Sequence, residues 1–311
     1  VTDAERVGVR PALASVSHDG PTQRAVTEGD EAMPLIRNSY GKGRVRIMRV
    51  KRDSARHEVR ELSVQAMLSG DFDAAYTEGD NSKVVATDSI KNIVNIVARD
   101  HVGAENEEFA GLLAKYFLDR YDHVTGVDIT ATETKWTRIA VDGTPHDHAF
   151  VLDGNGKPFV ELSATREASR LVSGVTGLTF LKTTQSGWEN YWFDEATTLK
   201  PTADRLFATA MDASWLWSAV PASYPQANEA VLAAALKVFA GTYSPGVQNT
   251  MYLMGEAVLA AVPEVAEITM ACPNKHYLPI DLSPFGRGFD GQVFTPTDEP
   301  HGQIECTVGR G

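Results

Sequence analysis

With 311 residues, 43% hydrophobic and 23% charged, the chain has a soluble globular composition and the length of one large or two ordinary domains. Its net charge of -12 argues against a DNA-wrapping role, which needs a basic surface, but leaves room for a local basic pocket that takes a small anion. The apolar runs are far short of a membrane span, and two cysteines, Cys272 and Cys306, are too few for a disulfide framework and lack metal-site spacing.

Residues 1–35 are rich in Thr, Ser, Pro, Gly and charge, without a sustained period. They read as an extension outside the main core: a mobile tail, or a segment ordered only on a partner. Regular structure is expected from near Tyr40. "RVRIMRVKR" alternates as a strand does, and "VRELSVQAML" puts Leu62, Val64, Ala66 and Leu68 on one face of a second. Ile90, Ile93, Val94 and Val97 then recur at helical spacing, as do Phe109, Leu112, Leu113, Tyr116 and Phe117. "GVDITATETKWTRIA" and "HDHAFVL" read as strands again. The order β-β-α-α-β-β closes at the turn cluster "DGNGKP", 153–158.

The same order recurs beyond that turn, without sequence identity between the halves. "GLTFLKTT" is a strand, and "RLFATAMDASWLW" places Phe207, Met211, Ala213, Trp215 and Trp217 on one face. Two helices follow, in "NEAVLAAALKVFA" and in the segment carrying Met251, Met254, Val258 and Leu259. Strands around "NKHYLPIDL" and "QIECTVG" close the chain. Runs of strands followed by runs of helices argue antiparallel α+β. The expected division is an extension over 1–35, a first domain over 36–155 and a second over 156–311.

"VVATDSIKN", 84–92, stands out: an apolar run stops at Thr87-Asp88-Ser89 just before a helical pattern. Three oxygen-bearing residues suit a helix start, with Asp88 as the cap of a helix beginning near Ser89. The "HDH" of His146 and His148 offers two or three metal ligands with no clear fourth, and structural hydrogen bonding is the simpler reading.

Eight segments in register, "YGKGRVR", "VVATDSIKN", "KWTRI" with "PHDHAF", "GLTFLKTTQSGW", "DEATTLKPTADR", "VQNTMY", "PNKHY" and "CTVGR", resemble the urate oxidase (uricase) family. The match runs from about Tyr40 to the C-terminus. The resemblance implies two tandem tunnelling-fold domains of antiparallel sheet and helix. It also implies a homotetramer whose sheets close into a barrel around a tunnel, with active sites between subunits. The implied activity is oxidation of urate by O2 and water to 5-hydroxyisourate and H2O2, with no metal or organic cofactor, no nucleic acid and no membrane. The absence of a secretory signal or a C-terminal peroxisomal tripeptide leads us to expect a cytoplasmic protein of bacterial type.

Residue by residue, the resemblance makes Lys42 the partner of Thr87. A desolvated lysine can take a proton from a hydroxyl, which takes one from the substrate. Asp88 would add a backbone contact to the substrate. Arg205 would grip a flat anion with its fork of N–H donors. The backbone N–H of Val247 and the amide of Gln248, at a helix start, would hold the other purine edge. Asn274 and His276, two apart on a strand, would hold O2 or peroxide, with Thr87, and relay protons. Leu199 is a candidate apolar wall.

Trp188 in "SGWEN" departs from the family, which usually has phenylalanine stacked on the purine. As the counterpart it keeps the stacking role with a larger ring, whereas a one-residue slip in register makes it ordinary core. Two rival readings are a tunnelling-fold enzyme acting on a pterin or guanine nucleotide, and a non-catalytic purine-binding protein on the same fold.

Overall fold

The structure is a computed structural model describing residues 33–288 and 291–311. The expected extension therefore lies, but for residues 33–35, outside the described residues. Arg37–Gly311 forms one compact unit.

That unit is built on one antiparallel sheet. In the first half, β1 (Tyr40–Lys51) pairs with β2 (Glu58–Gly70) and β2 with β3 (Val124–Thr134). Period-two burial is plain in β2, where Leu62, Val64, Ala66 and Leu68 all point inward. A short helix α1 (Asp73–Thr77) precedes α2 (Thr87–Asp100) and α3 (Asn106–Arg120). Ile90, Ile93, Val94 and Val97 of α2, with Phe109, Leu113 and Phe117 of α3, are buried against the inward faces of these strands. The 3.6-residue spacing of those side chains is what allows two helices to cover the sheet.

The fourth strand of this half differs from the sequence expectation. "HDHAFVL" lies in β5 (Thr144–Leu152), which pairs only with β4 (Trp136–Val141) in a separate two-stranded sheet. Neither strand buries a side chain, so neither can sit under the helices. The place beside β3 is taken by β6 (Lys157–Ala164), whose Val160 and Leu162 join the first core. Pro158, near its start, removes a ladder donor and hides the strand from a pattern search.

β7 (Ser169–Lys182) pairs with β6, so the sheet continues without a break into the second half. β8 (Phe207–Trp217), α4 (Tyr224–Gly241), α5 (Val247–Ala261), β9 (Val265–Ala271), β10 (Asn274–Pro279), β11 (Phe294–Gly302) and β12 (Glu305–Gly309) complete it. The main path runs β1-β2-β3-β6-β7-β8-β10-β11, with β9 on β8 and β12 on β9. Phe207, Met211, Ala213, Trp215 and Trp217 of β8 form the floor of a second core under α4 and α5.

A polar seam joins the halves on the helix side. The buried Glu107 carboxylate accepts from Ser173 Oγ (2.6 Å) and Asn228 Nδ2 (2.8 Å), and Trp217 Nε1 donates to Ser173 Oγ (2.9 Å). Glu105 sits where two helices begin. It forms a capping box with Glu108 at the head of α3, and its carboxylate accepts from Tyr224 N (3.0 Å) at the head of α4.

Candidate active site

The residues singled out by sequence fall into two groups, one in each half. In the first, Lys42 lies on β1, an outer strand of the sheet, immediately ahead of a bulge. The pairing with β2 shifts between Lys42 and Val45, where Arg44 has φ 53°. Such a bulge re-aims the neighbouring side chain. Gly41 lets β1 approach Ala66 and Met67 of β2 so closely that no Cβ would fit.

Tyr40 Oη accepts from Val85 N at 2.7 Å, fastening the segment that leads into α2 beside β1. The fastening brings the start of α2 within reach of the Lys42 charge, which acts on Asp88. No hydrogen bond joins Lys42 to Thr87 among the described residues.

The helix start corrects the expectation for Asp88. Thr87 is already the first helical residue, Ala86 is the cap position, and no side chain closes the end. Asp88 turns sideways instead, accepting from Lys91 and, at 3.2 Å, from Asn92. The bond from the Lys91 ammonium holds its carboxyl below the usual range. The sequence reading failed because Asp competes equally well for a cap and for an i,i+3 ion pair inside the first turn. Thr87 is exposed, and no side-chain cap hydrogen bond is made at this helix start.

The second group converges. Trp188, Leu199, Arg205, Asn274 and His276 line one cavity of about 610 Å³. The loop between β7 and β8 supplies the first three. It is fastened by Trp188 N to Thr202 O (2.7 Å), Arg205 N to Ser186 O (2.7 Å), and the Asp204 carboxylate, which accepts from Gln185 N (3.0 Å) and Thr184 Oγ1 (2.9 Å). β10 supplies Asn274 and His276. Val247 and Gln248 do not line the cavity. They begin α5 against its Trp188 wall, with Gly246 between.

The electrostatics favour an anion. Arg205 is half-buried, its guanidinium lies 5.7 Å from the Trp188 ring, and desolvation lowers its pKa. Its Nε is buried and has no hydrogen-bond partner, and among the described residues no carboxylate pairs with it. A cation held this way is costly unless an anion completes it. Lys200, Lys275 and His276 share the cavity wall with Asp204, and Lys275 is paired with Asp298 at 2.8 Å, so the Arg205 guanidinium is the buried cation that an anion would complete. α5, like α2, opens with no side-chain cap, leaving backbone N–H groups for a ligand.

Three contributors escaped the sequence reading. Tyr40 holds Val85, as described above. Tyr191 stacks on Trp188 with ring centroids 5.7 Å apart and planes 11° apart, and its Oη donates to Leu199 O at 2.6 Å. Gly246 gives Trp188 room. The aromatic run "YWF" beside Trp188 was a visible signal for the second.

His146 and His148 lie edge to face at 4.5 Å, and His148 N donates to His146 Nδ1 at 3.3 Å. Among the described residues no group of three His, Cys, Asp or Glu side chains is placed to hold a metal ion. Both cysteines are free, and burial pushes the Cys272 thiol up to about 12.

The two groups are far apart within one chain. β1 and β10 are separated by six strand spacings in the sheet order, on the order of 29 Å along the sheet.

A family model described as Uricase matches residues 38–163 and 171–305, the gap between the two segments falling around the turn between β6 and β7. Uricase of Arthrobacter globiformis is 41% identical over 289 residues, covering 93% of this chain and 94% of the relative. Uricase of Aspergillus flavus is 37% identical over 291 residues, covering 87% and 95%. The crystal structure of the Arthrobacter globiformis uricase superposes with a TM-score of 0.85 at 41% identity, over 90% of this chain and 96% of that one. Bacillus sp. TB-90 urate oxidase, at 23% identity, shares the fold with a TM-score of 0.75 over 88% of this chain and 100% of that one.

Proposed function

The chain belongs to the uricase family and oxidises urate, and from that premise we propose how its residues do so. Urate, an anion at neutral pH, enters the cavity and lies against Trp188 with Leu199 at its edge. Arg205 donates to one edge through the Nε that has no partner among the described residues. Val247 N–H and the Gln248 amide, beside the Trp188 wall and outside the cavity lining, reach the opposite edge from the open end of α5. This unpaired, half-buried guanidinium facing an aromatic platform is the observation that carries the assignment.

Deprotonation comes from the other group. The Thr87 hydroxyl takes a proton from bound urate and passes it to Lys42, and His276 relays protons on the cavity side. The resulting dianion is electron-rich and gives one electron to O2 held at Asn274 and Thr87. Recombination of the two radicals forms a C–O bond. The hydroperoxide loses H2O2, and water adds to give 5-hydroxyisourate. Urate, O2 and water in, 5-hydroxyisourate and H2O2 out, balances without a resident metal or organic cofactor. The protein's contribution is orientation, proton removal and charge placement.

One chain does not bring Lys42 and Thr87 to Arg205 and His276, so the site is shared between copies. Among the described residues β1, β11 and β12 are each paired on one side only, which gives the sheet edges that a second copy can extend. A homotetramer with sites at subunit interfaces meets both requirements. Mixing tests it directly: Thr87→Ala and Arg205→Gln chains, each inactive alone, are denatured together and reassembled. Activity returns in the mixture, where some sites combine two intact groups. A mixture as inactive as its components would show that each site belongs to one chain. Loss of urate absorbance with one H2O2 per urate, unchanged by chelator, tests the cofactor-free chemistry.

A further inference from the structure

Gly246 has an extended backbone, φ 178° and ψ 158°, which any residue adopts. Glycine is therefore not needed there for its conformational freedom. It is needed for space: a Cβ would lie 2.9 Å from Trp188 Cζ3 and 3.3 Å from both Trp188 Cε3 and Gln248 Oε1. Both sides of that contact are held by neighbours. Trp188 is backed by the Tyr191 ring, which stacks in turn on Phe193 at 4.8 Å and is tied to the Leu199 carbonyl. Gly246 is held by its own carbonyl, which accepts from Ser244 Oγ (3.2 Å) and Thr250 Oγ1 (3.1 Å), two buried hydroxyls 2.6 Å from each other.

We propose that Gly246 is a positioning residue whose missing side chain seats the indole of Trp188 against the open end of α5, making the two residues one coupled recognition unit for a flat bicyclic purine. The seat fixes the plane of the platform relative to Val247 N–H and the Gln248 amide, so stacking and edge recognition are set together. A phenyl ring at position 188 does not reach the place of the outer indole edge, and position 246 then has room for a methyl group. The coupling rests on the reading that Trp188 stacks on the purine.

A double-mutant cycle tests it, with urate kinetics and with calorimetric binding of xanthine, which carries the same amide edge. Gly246→Ala alone raises KM for urate and Kd for xanthine by about ten-fold, with kcat changed less than about two-fold. In a Trp188→Phe background the same substitution changes KM by less than about two-fold. Equal costs in the two backgrounds, or no cost in the first, overturn the coupling. So does loss of folding in both, since the clash would then be with backbone rather than with the indole. Trp188→Ala separates the layers. Unchanged xanthine affinity overturns the stacking itself, whereas weakened affinity with an additive cycle overturns only the role of Gly246.

Discussion

Four long helices begin among the described residues, and they begin in two different ways. α3 and α4 start closed: Glu105 and Glu108 form a capping box on the first, while Ser223 and the Glu105 carboxylate take N–H groups of the second. α2 and α5 start open, with no side chain on the first turn. The closed ends lie in the seam between the halves, and the open ends carry Thr87, Val247 and Gln248. Two half-buried or buried arginines, Arg49 and Arg205, divide the same way. Arg49 is buried and donates to His101 O (3.2 Å), Ala104 O (2.8 Å) and Asn106 Oδ1 (3.3 Å). Among the described residues Arg205 has no such set. Nε is buried without a partner among those residues in both arginines, so the difference lies in the rest of the guanidinium: that of Arg49 is spent on the architecture, and that of Arg205 is left for substrate.

The largest effect separates the arginines. Arg205→Gln lowers kcat/KM by about 10²- to 10³-fold, the cost of losing a charge-assisted grip on an anion. Its melting temperature stays level or rises, because an unpaired half-buried cation has been removed. Arg49→Met does the reverse: it leaves Ala104 O and Asn106 Oδ1 without their donor and lowers stability on the order of 3 kcal/mol, with kcat unchanged in the fraction that folds. Thermal denaturation beside steady-state urate kinetics reads both, and a destabilised Arg205→Gln would break the comparison. Next comes Thr87→Ala, with kcat down about 10²-fold or more and the melting temperature unchanged, since Thr87 caps nothing. A stability loss there would mean the hydroxyl closes the helix after all.

Much of this was legible in the sequence, for reasons that differ by element. β2 and β8 alternate cleanly because one face is buried under helices, and period two survives in the residues themselves. β6 was invisible because Pro158 and the preceding glycines imitate a turn. The cavity residues were readable only through resemblance, since the chain between Trp188 and His276 crosses two strands and two helices. Nothing local in "YGKG" or "VVATDS" reveals that Tyr40 fastens Val85, because a hydrogen bond across 45 residues has no periodicity. Asp88 was misassigned because its two local options, cap and first-turn ion pair, need the same residue at nearly the same place.

A smaller effect sharpens the closed side. Glu105 serves two helix ends at once, so Glu105→Ala loses about 1–2 kcal/mol, more than one cap alone, while kcat and KM hold. Chemical denaturation with an unchanged m-value is the measurement. A loss no larger than that of Ser223→Ala would show that the carboxylate closes only one of the two ends.

The smallest effect lies inside the seam itself. Glu133 accepts from Asn106 and feels both Arg49 and Arg60, yet burial dominates and holds its pKa above the ordinary 4.5. The sign follows from linkage. Ionising Glu133 costs more in the folded chain than in the unfolded one, so stability falls as pH rises from about 4.5 through the folded pKa, and levels off above it. Glutamine keeps an acceptor for Asn106 and never ionises. Glu133→Gln therefore melts slightly higher than the parent at pH 8, and the difference shrinks toward zero as pH falls to the ordinary carboxylate range. A pH series of melting curves for the two proteins checks it. A variant less stable at pH 8 would mean that the Arg49 and Arg60 charges outweigh burial, and that the seam, like the substrate cavity, is held by electrostatics rather than by satisfied hydrogen bonds.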